Sequence, residues 1–526
     1  MFPALSRRRF LAAASAAVTA PFIATCAGPM GNKFGGRDPF ALGVASGEPT
    51  ADGFVIWTRL APDPLSPDPE APGGMAGEPV PVIWEVAADD AMRRIVRSGT
   101  AVATTEDAHA LHLEVAGLDP GRWYWYRFRA GDAVSAIGRA RTAPAAGQPA
   151  GSLRLAAGSC ANWQHGYYSA YRHIAADAPD LVLFLGDYIY EYIEKRFPPV
   201  RRHSDGIEAT DLRTYRNRYA QYRTDPDLQA AHAAAPWLVT WDDHEVQNDY
   251  AGETTPDFAD PVAFRARRAA AYRAFWEHMP LRPVARPVGA DMALHRTLPW
   301  GDLARLWLLD GRQHRSPLAC RTPPFSGARI LTDEACPERR DPARSLLGHE
   351  QEAWLTDSLA RSRARWSILG QDVVMGEFAQ RGRGGVIGYW SDSWNGYPAA
   401  RDRLMRALQG SGAGNPIVLS GDHHSFWTNN LRLESGNPRS PVVAAEFVTS
   451  SIASTGPNYQ LFAEVARNTP DVRYFESRRR GYLRVEIVPA RLTADLRVVS
   501  DVLDPQATAS TLTSFVVEHG RPGVVP

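Results

Sequence analysis

No excess of either charge is present: 58 Lys and Arg offset 58 Asp and Glu, for a formal net charge of zero over 526 residues. A global basic field that would gather nucleic acid or anionic lipid is therefore excluded, and nucleic-acid binding is not expected except as substrate. A membrane-spanning run is also lacking. The apolar stretch from Leu11 to Ala24 is short and Ala-rich, too weakly hydrophobic to anchor in a bilayer. No internal repeat is evident, so the length is not that of a repeat array. There are only four cysteines.

What precedes that apolar stretch is informative. Ser6-Arg7-Arg8-Arg9-Phe10-Leu11 before a small-residue run reads as a twin-arginine export signal over residues 1–27, with the translocation machinery as partner and a periplasmic or secreted location. Cys26 follows Ile23-Ala24-Thr25, a poor context for lipoprotein cleavage, so a mature chain without stable membrane insertion is expected. Cys320 and Cys336 bracket a Pro/Gly-containing loop; a disulfide and two buried thiols both fit. Cys160 stands alone in a Gly-Ser-Cys turn after an apolar run.

The length exceeds what one compact core usually holds. From residue 38 to 143 short alternating runs such as Phe54–Arg59 and Trp123–Phe128, separated by Pro/Gly/Asp turns, predict a small β-sandwich. Leu118-Asp119-Pro120-Gly121 followed by Tyr124 is similar to the corner of fibronectin type III or Ig-like sandwiches in which a tyrosine hydroxyl caps the turn. Thr142 to Ser152 reads as a linker. From 153 to 505 the pattern becomes α/β: continuous apolar runs at Leu153–Ala157, Leu181–Leu185, Trp237–Trp241, Leu303–Leu309, Trp366–Leu369 and Ile417–Leu419. Helices are predicted over Tyr167–Asp177, Asp211–Tyr222, Pro261–His278 and His349–Ser362. After Arg480, alternation in Tyr482–Val488 and Leu492–Val499 predicts an antiparallel pair closing the sheet edge, with 506–526 as a C-terminal extension.

Metal-ligating residue types recur directly after the apolar runs. Gly158-Ser159-Cys160 follows the first, Gly186-Asp187-Tyr188-Ile189-Tyr190-Glu191 the second, Asp242-Asp243-His244-Glu245 the third, and Gly421-Asp422-His423-His424 the last. Carboxyl ends of strands line the ligand crevice in open α/β sheets, so loops this far apart in sequence can converge. Carboxylates gathered there repel one another unless cations neutralise them, which points to a dinuclear centre for phosphoester hydrolysis.

Gly186-Asp187 with Tyr190, Trp241-Asp242-Asp243-His244-Glu245 with Asn248, and Gly421-Asp422-His423-His424 resemble the PhoD-type alkaline phosphatases, a branch of the calcineurin-like metallophosphoesterases. The resemblance extends to Phe40–Arg59 and Gly158–Cys160. It implies a four-layer α-β-β-α catalytic domain, a centre of Fe³⁺ with Ca²⁺, and hydrolysis of phosphomonoesters or phosphodiesters by a metal-activated hydroxide. Cys160, Tyr190 and His424, with Asp187 bridging, suit ferric iron; Asp187, Asp243, Asn248 and Asp422 offer hard oxygens that suit calcium. His244 is expected to face the phosphate, stabilising charge or protonating the leaving oxygen; orienting Asp243 is its other reading. His423 is expected behind a ligand or at the wall rather than as a ligand itself. Arg312 follows a strand and fits two roles, phosphate contact or pairing with Asp310.

Alternatives in substrate are a phospholipase D-type or teichoic-acid phosphodiesterase activity. Alternatives in class are a non-catalytic cell-surface binding protein and a sulfatase-like enzyme with Cys160 as nucleophile.

Overall fold

A computed structural model describes residues 34–382 and 385–525. The export signal expected over 1–27, Cys26 included, lies outside them. No helix among the described residues is long and apolar enough to cross a membrane.

Two sheets stack face to face. The larger has nine strands in the order Ala509–Glu518, Arg491–Val499, Gly481–Val488, Leu153–Gly158, Leu181–Leu185, Pro236–Thr240, Val44–Gly47, Phe54–Arg59 and Ala110–Val115. The smaller has seven, ordered Arg296–Trp300, Ala304–Leu308, Trp366–Gly370, Pro416–Ser420, Val442–Val448, Phe426–Arg432 and Val472–Glu476. Side-chain alternation divides each strand between two cores. Leu181, Leu183 and Leu185 point inward against Leu306, Ile368 and Leu419, whereas Val182 and Phe184 face the other way onto Tyr171, Tyr272 and Phe275. On the far side, Leu369 and Val418 pack under Leu355, Leu359, Leu404 and Met405 of two helices, His349–Arg361 and Pro398–Gly410. The layers therefore run α-β-β-α, as the resemblance implied. Each fully buried Leu of the middle layer contributes roughly 1.5–3 kcal/mol.

All four predicted helices are present, as Ser169–Ala176, Leu212–Arg223, Pro261–His278 and His349–Arg361. Pro226–Ala234, Pro398–Gly410 and Tyr459–Asn468 add three that the sequence reading did not mark.

The N-terminal β-rich part is a sandwich with one shared wall. Val80–Ala87, Ile95–Ala103, Trp123–Ala130, Ala133–Val134 and Gly138–Arg141 form its own sheet, while Val44–Gly47, Phe54–Arg59 and Ala110–Val115 extend the nine-stranded sheet. Ser46 pairs in parallel with Pro236, so the module is stitched into the catalytic sheet by backbone hydrogen bonds. The expected corner is present: the Asp119 N–H donates to Tyr124 Oη at 2.9 Å. At the opposite end, the pair predicted to close the sheet is not the edge. Ala509–Glu518, inside the segment read as an extension, hydrogen-bonds to Arg491–Val499 and forms the outermost strand. Cys320 and Cys336 are joined as a disulfide.

Candidate metal centre and active site

Three strands of the larger sheet and one of the smaller end at the same place. Cys160 follows Leu153–Gly158, Asp187 and Tyr190 follow Leu181–Leu185, Asp243 and His244 follow Pro236–Thr240, and Asp422 and His424 follow Pro416–Ser420. The backbone turns hard to bring them in. Cys160, Asp187, Asp422 and His424 all have φ between 56 and 63°, a left-handed conformation that non-glycine residues adopt at a cost and that clusters at functional sites. Two glycines allow the close approach. A Cβ on Gly186 (φ 91°) would lie 2.5 Å from Asp242 Cβ, and one on Gly421 would lie 2.7 Å from the Leu185 carbonyl oxygen.

One group of ligand atoms comprises Cys160, Asp187 and His424, and a second comprises Asp187, Asp243 and His244, each within 4.8 Å of one another. Asp187 belongs to both. Its Oδ2 accepts from Tyr190 Oη at 2.9 Å, while Oδ1 is buried with no hydrogen-bond partner. Tyr190 Oη also lies 2.9 Å from His424 Nε2 and accepts from Ser454 Oγ at 2.9 Å. His424 Nδ1 lies 2.8 Å from the Thr455 carbonyl, which can only accept, so Nδ1 carries the proton and the Nε2 lone pair faces the group. Burial pushes the His424 pKa down to about 3, which keeps the imidazole neutral, the form that ligates metals.

A third group, Asp243, Asp249 and Asp392, adjoins the second through Asp243. Asp249 and Asp392 were not picked out from sequence. Asp422 belongs to none of the three groups, although its charge is felt alongside those of Asp392 and Asp243. Asn248 is exposed; its backbone N–H donates to Glu191 Oε1 at 2.7 Å, and the neighbouring Asp249 carries the carboxylate of the cluster.

The electrostatics of the bare site are strained. Burial, reinforced by Asp243 and Glu245, raises the Asp187 pKa well above the carboxylate range although His244 opposes it. Burial raises Asp249 and Asp422 to about 7, with Asp392 adding to both. Burial and then the Asp187 charge push up the Cys160 thiol and the Tyr190 phenol. Every one of these shifts opposes the anionic form, and a multivalent cation would reverse them all. Orphaned carboxylate oxygens (Asp187 Oδ1, Asp242 Oδ2 and both of Asp372) agree with that demand.

His244 is the exception. Burial works against its charge, but Glu191, Asp187 and Asp243 outweigh it and hold its pKa well above the usual value. Nδ1 sits 2.7 Å from Glu191 Oε2, and the ring lies on Tyr190 with centroids 4.2 Å apart. Glu191 also receives the Asn248 N–H, and Glu245 receives the N–H groups of Asp187, Tyr188 and Asp242 at 3.0, 2.5 and 2.8 Å. These two glutamates pin the loops. Both stood at the ends of the motifs already read from sequence, and their role was missed because Glu245 bonds only backbone groups and Glu191 bonds a backbone N–H and a histidine 53 residues away.

Arg312 does not reach toward substrate. Its guanidinium is fully buried, donating to Asp242 and, through two bonds of 2.9 Å, to Asp392; only its backbone N–H goes to Asp310. With Asp243 at 3.7 Å, it drives that carboxyl, despite burial, down to about 2. His423 faces away, bonded to Ser425 Oγ at 2.7 Å and edge-on to Phe462, as expected of a wall residue.

Residues 155–496 match the family model of the PhoD-like phosphatase, and residues 25–144 that of the PhoD-like phosphatase N-terminal domain. Alkaline phosphatase D of Bacillus subtilis (strain 168) is 43% identical over 493 residues, covering 92% of this chain and 82% of that protein. A solved structure described as that of PhoD superposes with a TM-score of 0.86 at 42% identity, covering 93% of this chain and 92% of the other. The chain belongs to the PhoD-like phosphatase family, hydrolases of phosphoric ester bonds.

Proposed function

We propose that the centre holds unlike metals, ferric iron among Cys160, Asp187, Tyr190 and His424 and calcium among Asp187, Asp243, Asn248 and Asp422, with Asp249 and Asp392 adding oxygens on the calcium side. The observation that carries this is the position of Asp187, the one carboxylate common to the group of Cys160 and His424, with the Tyr190 phenol 2.9 Å away, and to the group in which Asp243 adds a second carboxylate. Cys160 fits a ligand better than a nucleophile: it is fully buried and its thiol pKa is raised, whereas reactive thiols sit in exposed electropositive surroundings.

When bound, such ions draw charge from a phosphoryl group and lower the pKa of an attacking water. The chain's own residues do the rest. His244, held protonated by Glu191, faces the groups that surround Asp187 and donates its Nε2 proton to the leaving oxygen of a phosphomonoester or phosphodiester. Glu245 and Glu191 fix the loops so that this geometry is preformed. Export through the twin-arginine route is supported by Arg7-Arg8 and by the Cys320–Cys336 disulfide, which forms in oxidising compartments.

Elemental analysis of the purified chain with a visible spectrum on the same sample tests the reading. Iron and calcium together with a tyrosinate-to-iron charge-transfer band are expected; zinc alone, or no such band, would sink the assignment of Cys160 and Tyr190.

A further inference from the structure

Behind the Ser454-Thr455 wall of the metal centre lies a cavity of about 450 Å³, lined among others by His165, Ser454, Thr455, Arg478, Arg479 and Arg480. Only one residue, Thr455, separates it from the ligand His424. Thr455 gives its carbonyl to His424, and its N–H donates to His165 Nδ1 at 3.2 Å on the cavity side.

The charges around this cavity are unbalanced. Arg480 is only 8% exposed, yet its guanidinium donates to oxygens that carry no charge: the His424 carbonyl at 2.6 Å, Ser451 Oγ and the Ser454 carbonyl at 3.0 Å each, and the Ser477 carbonyl. Arg479 is exposed and has no ion pair among the described residues. Arg478 is anchored by Glu476 at 2.7 Å and by its stack on Tyr459, 3.8 Å from the ring centroid, and its side chain remains 61% exposed. The lining contains one carboxylate, Asp501, which accepts the Leu503 N–H at 2.9 Å. His165 has both ring nitrogens engaged, Nδ1 by the Thr455 N–H and Nε2 by Glu194 at 2.8 Å.

A buried cation satisfied only by neutral oxygens, with two more guanidinium groups at the mouth, is an arrangement that an oxyanion completes. We infer that this cavity is a second anion subsite, in which Arg478, Arg479 and Arg480 hold a phosphate group of the substrate other than the one being cleaved. The guanidinium fork suits phosphate. The inference rests on the phosphoesterase reading of the adjacent centre and adds to it a selectivity for phosphodiesters that carry a further phosphate close to the one being cleaved.

A matched pair of chromogenic diesters tests it on the intact metallated enzyme: thymidine 5′-(4-nitrophenyl phosphate) with and without a 3′-phosphate. The expected preference for the doubly phosphorylated compound is about tenfold in kcat/KM, expressed mainly in KM, and shrinks in high salt. In a combined Arg478→Ala and Arg479→Ala variant, both positions being exposed, the preference falls to about unity. The singly phosphorylated compound, measured on the same preparation, normalises for any loss of folded protein. Lysines at both positions restore part of the preference. An equal rate for both compounds in the native enzyme, or an unchanged preference in the alanine variant, overturns the subsite. Turnover of neither compound overturns the phosphoesterase reading instead.

Discussion

Two regions of this molecule bury charge to a similar depth and treat it in opposite ways. At the seam between the N-terminal strands and the helix Pro261–His278, the fully buried Glu277 accepts from Arg216 at 2.7 and 2.6 Å and from Arg273 at 2.9 Å. At the metal cradle, Asp187 Oδ1 and Asp242 Oδ2 have no hydrogen-bond partner, and neither has Asp372, whose Oδ2 lies 3.7 Å from Arg312. The Glu277 carboxylate is satisfied by the chain alone and the Asp187 carboxylate is not. Charge satisfied internally serves stability, whereas charge left over is reserved for something that binds.

The comparison breaks most visibly at Asp187. An Asp187→Asn variant should lose a thousandfold or more in kcat/KM, about 4 kcal/mol of transition-state stabilisation, while its metal-free form melts at or above the native temperature, because a repelling charge is gone. Parallel turnover and melting measurements check both halves; a lower melting temperature would show that the carboxylate is structural. Glu277→Ala should do the reverse, destabilising the fold by about 3–5 kcal/mol, chiefly by stranding the buried Arg216 while Arg273 keeps its pair with Asp107, with the turnover of the remaining folded enzyme unchanged. Urea unfolding and active-site titration separate these effects.

Cys160→Ser sharpens the account within the cradle. Loss of iron and of the visible band, with calcium kept and activity down about a hundredfold, is expected of a ligand; retained iron with no activity would instead mark a nucleophile.

The smallest effect is a matter of pH at the seam. His112 stacks on Trp276 at 3.9 Å, its Nδ1 lies 2.9 Å from the Leu281 carbonyl, and burial lowers its pKa to about 4 although Glu277 opposes the shift. Because the folded value is depressed, the unfolded chain takes up the proton first. Stability is whole above about pH 6.5 and declines as pH falls toward 4, by on the order of 2 kcal/mol after allowance for partial exposure. His112→Phe should flatten that limb of the stability profile, which denaturation between pH 7 and 4 would detect.

How much of this could be read from the sequence follows from the same physics. Strand ends are legible because an apolar run followed by Asp, Cys or His is a local pattern, and Cys160, Asp187, Asp243 and His424 all met in one place. Asp392 was not legible, since it follows a short strand, Ile387–Trp390, embedded in Arg/Gly/Ser sequence with no apolar periodicity. Nor were the left-handed turns at Cys160 and Asp187, which ordinary side chains adopt only when tertiary contacts force them. The fully buried Arg312 reads in sequence like any arginine after a strand; only the convergence of Asp242 and Asp392 reveals what it neutralises. The β-rich character of the first segment was plain, but the parallel pairing of Ser46 with Pro236 depends on no local feature.

That pairing carries a consequence for how the chain is made. Val44–Gly47 leaves the ribosome long before Pro236–Thr240 exists, so one of the first strands synthesised waits for a partner some 190 residues downstream. The catalytic sheet cannot close in order of synthesis, and its central strands are completed only after most of the polypeptide has emerged. Deleting the first hundred residues would therefore expose the edge of Pro236–Thr240 to other chains rather than release a smaller, working enzyme.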